Sequence, residues 1–365
     1  MQNLHLSDNY NGLIIVNSED STIANNILTS NYEGLKLFNS SGNGFQNNEI
    51  FGNVVNLADN SVPVGLDSSN KLDGKSIYTW IDQHDKTIPA DAGYVALINC
   101  SGITIKDQNL ANNAVGIFLQ NSNNCTLSNN TITGMTSGIR LTTVTNVVVS
   151  NNTVNACQDG ILLEIASSNN VISGNVVNES LNNGISVQAG GNNKILYNKI
   201  SGNAQGIELL DSSDNTLKGN NVDTNRVGLA FSANAQSNNG DQESTCTRNT
   251  IMENNVSQNT EGIAINYNVA GNTFYHNNFL TNIQQVYSSN NYYSSGSANI
   301  WDNGKEGNYW SNYNGTDTNN DGIGDQARGI FGQITTTGFH IIYPVNSDAD
   351  RFPLMMPTFN IFGKY

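Results

Sequence analysis

The stretch Asp317-Thr-Asn319-Asn-Asp321-Gly322-Ile323-Gly324-Asp325 carries the densest set of potential cation ligands in this sequence. Its pattern, D-x-N-x-D-G-x-G-D, corresponds to the first nine positions of a calcium loop, where oxygens at alternate positions converge on one hard cation. Asp317, Asn319, Asp321 and Asp325 would offer side-chain oxygens and Ile323 its backbone carbonyl, while Gly322 permits the sharp turn. Arg328 stands where a Glu usually occupies position twelve, so a remote carboxylate such as Asp348 or Asp350 would complete the set. The pattern predicts a structural Ca²⁺ site.

Other chemistries find fewer groups. Cleavage of a polysaccharide needs a clustered acid and base, or a cation-assisted site. Carboxylates along the chain's regular part are sparse: Glu164, Glu208, Asp211 and Asp214. The last three flank one strand and its turn and read as solvated. His5, His84, His276 and His340 are far apart, and none has metal-ligand spacing. No catalytic residue and no organic cofactor is predicted, and the chain is expected not to be an enzyme. Cys100, Cys125, Cys157 and Cys246 form no C-x-x-C pair, which argues against zinc or thiol redox chemistry. Cys157 reads as a buried thiol, and Cys100 with Cys125 as a candidate bridge.

The elements that position these groups come from a repeat. A Gly followed by alternating apolar residues recurs at Gly12, Gly34, Gly116, Gly138, Gly160, Gly184, Gly206, Gly228 and Gly262. From Gly116 to Gly228 the steps are 22, 22, 24, 22 and 22, the step from Gly12 to Gly34 is also 22, and the period-2 alternation marks short strands. An apolar-x-x-Asn-x-apolar element follows each strand, with Asn26, Asn48, Asn130, Asn152, Asn175, Asn198, Asn220, Asn254 and Asn277, and Gln108 in one coil. Five residues on runs a second column: Asn9, Asn31, Asn53, Asn113, Asn203, Asn225, Asn259 and Asn282, with Met135, Cys157 and Ser180 as substitutes. One 22-residue turn cannot bury its apolar face alone, so turns must stack as parallel strands. Parallel crossovers are right-handed. Asn suits the corners because it tolerates the left-handed conformation and its amide satisfies bent backbone.

The fold expected is therefore all-β: a right-handed parallel β-helix of 22-residue coils over 1–283, with insertions at 59–92 and 234–246. The first insertion carries Tyr78, Trp80, His84 and Pro89, enough to pack as a small flap. Residues 284–365 form an irregular capping region that holds the calcium-type loop. Its aromatics, Tyr287, Tyr292, Tyr293, Trp301, Tyr309, Trp310 and Tyr313, read as a cover for the open core, with a sugar platform as the alternative.

Composition bounds the partners. The 365 residues carry a net charge of −15 with only 15 Lys and Arg, which excludes nucleic acid and anionic lipid and suits cations. Asn accounts for 66 residues, yet 37% of the chain is hydrophobic at regular positions, so it is not disordered. No apolar run is long enough to span a membrane. The start is already in repeat register, with no signal peptide, so a mature form or a segment of a longer precursor is expected.

Three stretches carry a resemblance to the NosD-type, CASH-domain β-helix proteins of archaeal cell surfaces. They are the coils themselves, the insertion Asp73-Gly-Lys-Ser-Ile-Tyr-Thr-Trp80 with Ile88-Pro-Ala-Asp-Ala-Gly93, and the C-terminal set. That set comprises Asn299-Ile-Trp-Asp302, Gly307-Asn-Tyr-Trp310, the calcium-type loop and Asp350-Arg-Phe-Pro-Leu354. The resemblance implies a secreted or envelope-attached β-helix. The relative that gives the family its name assists copper-site maturation, a role that finds no Met/His cluster here. The function expected is an extracellular structural protein of a surface layer or sheath, self-assembling end to end through open β-helix edges. The alternative is a polysaccharide-binding or polysaccharide-cleaving β-helix, with a cell-surface glycan as partner.

Overall fold

A computed structural model of the chain describes residues 1–40, 42–58, 65–234, 245–266, 268–288, 299–336 and 339–358, with backbone alone over 331–336 and 339–347. Parts of both insertions (59–64 and 235–244), Tyr292, Tyr293 and the His340 side chain lie outside the described residues. Every element among the described residues is a strand. The chain divides into two compact units, Met1–Ser167 and Ser168–Tyr365. Each is a parallel β-solenoid, the right-handed β-helix that the repeat predicts.

In the first unit, Asn11–Val16 lies beside Glu33–Phe38 with Leu13 opposite Leu35 and Ile15 opposite Leu37, a register of one 22-residue coil. Val115–Gln120, Ser137–Thr142 and Asp159–Glu164 stack the same way. The leading glycines have a steric cause. At Gly116 a Cβ would lie 2.6 Å from the Gly138 carbonyl oxygen one coil on, so no larger residue lets the coils approach. In the second unit, Asn183–Gln188, Gln205–Leu210, Val227–Ser232, Glu261–Ile265 and Gln284–Ser288 form the corresponding stack. The step from Val227 to Glu261 is lengthened by the second insertion, yet the register of apolar partners holds, with Leu229 opposite Ile263.

The first insertion changes how the first unit stacks. Glu49–Phe51 pairs in parallel with Lys71–Leu72, which pairs antiparallel with Lys75–Ile81. Lys75–Ile81 then runs parallel to Ala92–Ile98, which opens the later stack. The Asn-type strands of the first coils thus lead, through a hairpin, into the Gly-type strands of the later ones. Meanwhile Leu57 accepts from Ala114 N at 2.8 Å, so the earlier Gly-type face also acquires a new neighbour.

The Asn columns are buried ladders. In the second unit Asn198 Nδ2 donates to Asn220 Oδ1 at 3.0 Å and Asn220 Nδ2 to Asn254 Oδ1 at 2.9 Å, continuing through Asn277 to Asn308. The second predicted column bonds likewise through Asn203, Asn225, Asn259 and Asn282. A third ladder, Asn170, Asn193, Asn215, Asn249, Asn272 and Asn299, was not among the predicted columns. All four cysteines are buried without a disulfide, so Cys157 is the thiol expected and the Cys100–Cys125 bridge is not formed. Burial raises every thiol's pKa, that of Cys246 to about 12.

The C-terminal aromatics close the core of the second unit. Trp301 stacks on Phe274 at 4.4 Å and Trp310 on Phe279 at 4.3 Å, and both indoles are fully buried. For these two Trp residues the cover is correct and the sugar platform is not. The C-terminal stretches that carry the family resemblance meet here. Arg351 forks onto Asp302 at 2.6 and 2.8 Å, and Trp310 Nε1 donates to Asp350 Oδ2 at 2.8 Å. Leu354 N donates to Asn308 O at 2.9 Å.

Candidate functional site

The junction in the first unit brings unlike chemical groups together on a rigid sheet. Leu72-Asp73-Gly74-Lys75 is a two-residue hairpin turn with positive φ at both central residues, 47° at Asp73 and 77° at Gly74. That geometry demands Asp-Gly or Asn-Gly. It lays Lys71 opposite both Glu49 and Ser76. Lys71 Nζ donates to Ser76 Oγ at 2.8 Å, and Ser76 Oγ donates to Asp91 Oδ2 at 2.9 Å. The other oxygen of Asp91 accepts from Tyr78 Oη at 2.6 Å. Beside this relay, Glu49, Ile50, Phe51, Lys71, Asp73 and Gly74 line a groove of about 530 Å³.

The electrostatics set the protonation. The bonds from Tyr78 and Ser76 hold Asp91 below its ordinary carboxylate value, so it is ionised at neutral pH. Burial, and then the bond to Asp91, push the Tyr78 phenol up, so it stays a donor. Tyr78 and Trp80 meet edge to face at 6.1 Å, and Lys86 Nζ lies 5.9 Å from the Trp80 ring. Apolar ring surface beside an ordered carboxylate, phenol and ammonium is the mixture that sugar-binding clefts need. The Asp91–Tyr78 pair also has the reach to hand on a proton.

The sequence-predicted residues fall as follows. Asp317, Asn319, Asp321, Ile323 and Asp325 share one exposed loop of the second unit. Asp317 Oδ2 accepts from Gly322 N at 2.9 Å, Asp321 Oδ1 from Ile323 N at 2.9 Å, and Asp325 Oδ2 from Thr318 N at 3.0 Å. That backbone bond holds the Asp325 carboxyl below its usual range. The remote carboxylates do not join them: Asp350 is buried against Trp310 and Asn308, and Asp348 is buried as well. Among the described residues no three His, Cys, Asp or Glu side chains are gathered into a metal-holding group, so a cation at this loop would have to draw the Asp317, Asp321 and Asp325 carboxylates together.

The carboxylates along the coils each have a hydrogen-bond partner, and of the three read as solvated Asp214 is exposed while Glu208 and Asp211 are half-buried. Glu208 accepts from Ser186 Oγ at 2.7 Å, Asp211 from Asn234 N at 2.7 Å, and Asp214 is forked by Arg248 at 2.7 Å. Glu164 is paired with Arg140 at 2.7 Å. Lys71, Ser76 and Asp91 escaped the sequence reading because the 22-residue pattern lapses there. The Asp73-Gly74 dipeptide between two short strand-like runs is the signal that locates them.

Comparison with known proteins adds a family. The family described as periplasmic copper-binding protein (NosD) matches residues 68–240 and 239–315. No curated protein matches the chain. Among solved structures, a variant of the periplasmic alginate epimerase AlgG is 15% identical, with TM-score 0.48 over 76% of this chain and 62% of that one. An exopolygalacturonase from Thermotoga maritima is 11% identical, with TM-score 0.40 over 58% of this chain and 55% of that one. A mannuronan C-5 epimerase A-module from Azotobacter vinelandii is 12% identical, with TM-score 0.43 over 73% and 88%. The chain thus spans about three-fifths of the length of the first two. At these identities the likeness is one of fold.

Two expectations change here. The non-enzyme expectation is corrected, because the solved structures that the chain resembles include epimerases and a polygalacturonase. Sparse carboxylates along the coils do not decide against catalysis. Copper, which the family description implies, finds no fitting ligands among the described residues. His84 bonds Ser101 Oγ at 2.7 Å, His276 bonds Glu306 at 2.6 Å, and every thiol is buried and protonated.

Proposed function

The chain belongs to the NosD family, and from that premise we propose that it is a polysaccharide-binding β-helix of the cell surface or periplasm. The observation that carries the proposal is the junction: the Lys71–Ser76–Asp91–Tyr78 relay with Trp80, beside a groove of about 530 Å³. Asp91 and Tyr78 would take vicinal sugar hydroxyls, and the rings would take the sugar's C–H face. No helix of the described residues is long and apolar enough to cross a membrane. The sheath reading rested on open edges alone, and the polysaccharide alternative weighed beside it has the better support.

Binding is measured by affinity electrophoresis through alginate, polygalacturonate, xylan and β-glucan. Wild type should be retarded by at least one, and Trp80→Ala and Asp91→Asn should each weaken that binding about tenfold, equivalent to ~1.4 kcal/mol. Wild-type mobility unchanged in all four gels would sink the reading. New reducing or unsaturated ends in the same mixtures would identify turnover.

We also propose that the Asp317–Asp325 loop takes a structural Ca²⁺. Gly324 N donates to Pro353 O at 2.8 Å and Met355 N to Gly322 O at 3.0 Å, so the loop is tied to the segment that follows Asp350. A cation there would stiffen both. Calcium at a hundred times its dissociation constant should stabilise the protein by about 2.7 kcal/mol. The gain is read as a rise in Tm over a chelator control, and Asp321→Ala should abolish it. Equal Tm with calcium and with chelator refutes the site.

A further inference from the structure

Several corners of the coil carry residues larger than Asn or Asp on left-handed backbone, Arg248 and Gln258 among them, and at one corner of the second unit such residues stack into a stripe. At that corner the residue just before the ladder amide has left-handed backbone in most coils. In the first unit it is Asn25, Asn47, Asp107, Asn129 or Asn151, with φ between 53° and 58°. Short polar side chains tolerate that conformation. In the second unit the same position holds Gly174, Tyr197, Gly219, Glu253 and His276, and φ at the three larger residues is 54°, 57° and 56°. Bulky residues held in this region cost energy, and such sites concentrate where function requires them.

The surroundings of these residues are ordered. The Tyr197 ring lies against Gly219 one coil on, in the space a Cβ would take, and Tyr197 remains 52% exposed. Along the neighbouring register run Leu196, Lys218, Met252 and Tyr275. Lys218 Nζ pairs with Glu253 Oε1 at 3.3 Å, and His276 Nε2 with Glu306 Oε2 at 2.6 Å. Tyr275 donates to the Met252 sulfur at 2.8 Å and meets the His276 ring edge-on at 5.1 Å. Three coil steps separate Tyr197 from His276, a stripe of roughly 14 Å at parallel-strand spacing.

We propose that this stripe binds a neutral oligosaccharide, with the Tyr197 ring as its platform. The ring offers a flat apolar face set down on glycine. The paired ammonium, carboxylates and imidazole offer donors and acceptors already oriented for hydroxyls. Because the cations here are matched by carboxylates and the chain carries −15, a polyanion gains nothing at this stripe. The ligand class rests on the polysaccharide reading above; the site does not, since it uses none of the junction residues.

The test is isothermal titration of the full chain with cellohexaose, laminarihexaose, mannohexaose and xylohexaose. Wild type should bind at least one. Tyr197→Asn, which installs the residue type used in the first unit, should keep or raise Tm while weakening that binding at least tenfold. Tyr197→Phe should bind within threefold of wild type. If Tyr197→Asn binds like wild type while Trp80→Ala does not, this inference falls and the junction reading stands. If wild type binds no neutral hexasaccharide, this inference falls, and the polyanion gels still decide the junction.

Discussion

Asp350→Ala should cost about 3–5 kcal/mol and unfold the cap of the second unit, the range expected when one partner of a buried charged network is removed. Asp350 is fully buried. Its Oδ2 accepts from Trp310 Nε1 and Asn308 N, each at 2.8 Å, and its Oδ1 from Phe352 N at 3.2 Å. Arg328 lies flat over Trp310 at 3.8 Å, and burial draws its pKa down to about 10. Alanine would strand the buried Trp310 and Asn308 donors, the half-buried Phe352 amide and that cation together. Gly307→Ala should act the same way from the other side, because a Cβ there would overlap the Asp350 carboxylate. Near-native Tm and unchanged Trp fluorescence in Asp350→Ala would refute the latch.

The same carboxyl gives a pH signature. Burial pushes the Asp350 pKa up to about 6, against the pull of its hydrogen bonds. A carboxyl whose folded value lies above its unfolded value of 3.8 favours the fold when protonated. Its contribution is therefore greatest below about pH 4 and declines as pH rises through 6. Measured against Asp350→Asn, which cannot titrate, wild type should lose about 3 kcal/mol of relative stability over that window. Parallel stability curves for the two proteins between pH 4 and 7 would show that residue 350 does not titrate there.

Asn220→Ala is the second large effect, expected at on the order of 4 kcal/mol. Asn220 is completely buried. Its Nδ2 donates to Ile195 O at 2.8 Å and Asn254 Oδ1 at 2.9 Å, and its Oδ1 accepts from Asn198 N and Nδ2, each at 3.0 Å. Alanine removes all four bonds and leaves the Ile195 carbonyl and Asn198 amide buried without a partner, each costing about 1–3 kcal/mol. Leucine would leave the same groups unpaired. The exposed neighbour Lys199→Ala should stay within about 0.5 kcal/mol of wild type. Urea midpoints of the two variants make the comparison, and equal midpoints would mean that the ladder is decorative.

Much of the fold was legible in the residues because it repeats. Glycines recurring 22 residues apart within each run of coils, each followed by alternating apolar residues, reappear as aligned strands with Ile117 opposite Ile139 and Leu119 opposite Leu141. Two of the three amide ladders were visible for the same reason. The third went unseen because the equivalent positions of the first unit hold Cys125 and Val147, so the column does not read as Asn from one end to the other. The candidate site was hardly legible. Tyr78 and Trp80 stood out as aromatics, and Ser76 and Asp91 lie in the two stretches that carry the family resemblance, but nothing in their spacing marks them, with Lys71, as one hydrogen-bonded set.

A periodic pattern states its own contacts: each coil repeats the instruction of the one before, so composition and spacing determined the parallel β-helix, its inward faces and its Asn corners. What occurs once has no such copy. The Asp73-Gly74 hairpin joins two classes of strand, and from that single turn Lys71, Ser76 and Asp91 become neighbours. Asp302 finds Arg351 and Trp310 finds Asp350 across 49 and 40 residues of chain. Only the folded backbone decides such pairings, because a side chain's type fixes what it can bond but not which distant partner the chain brings to it.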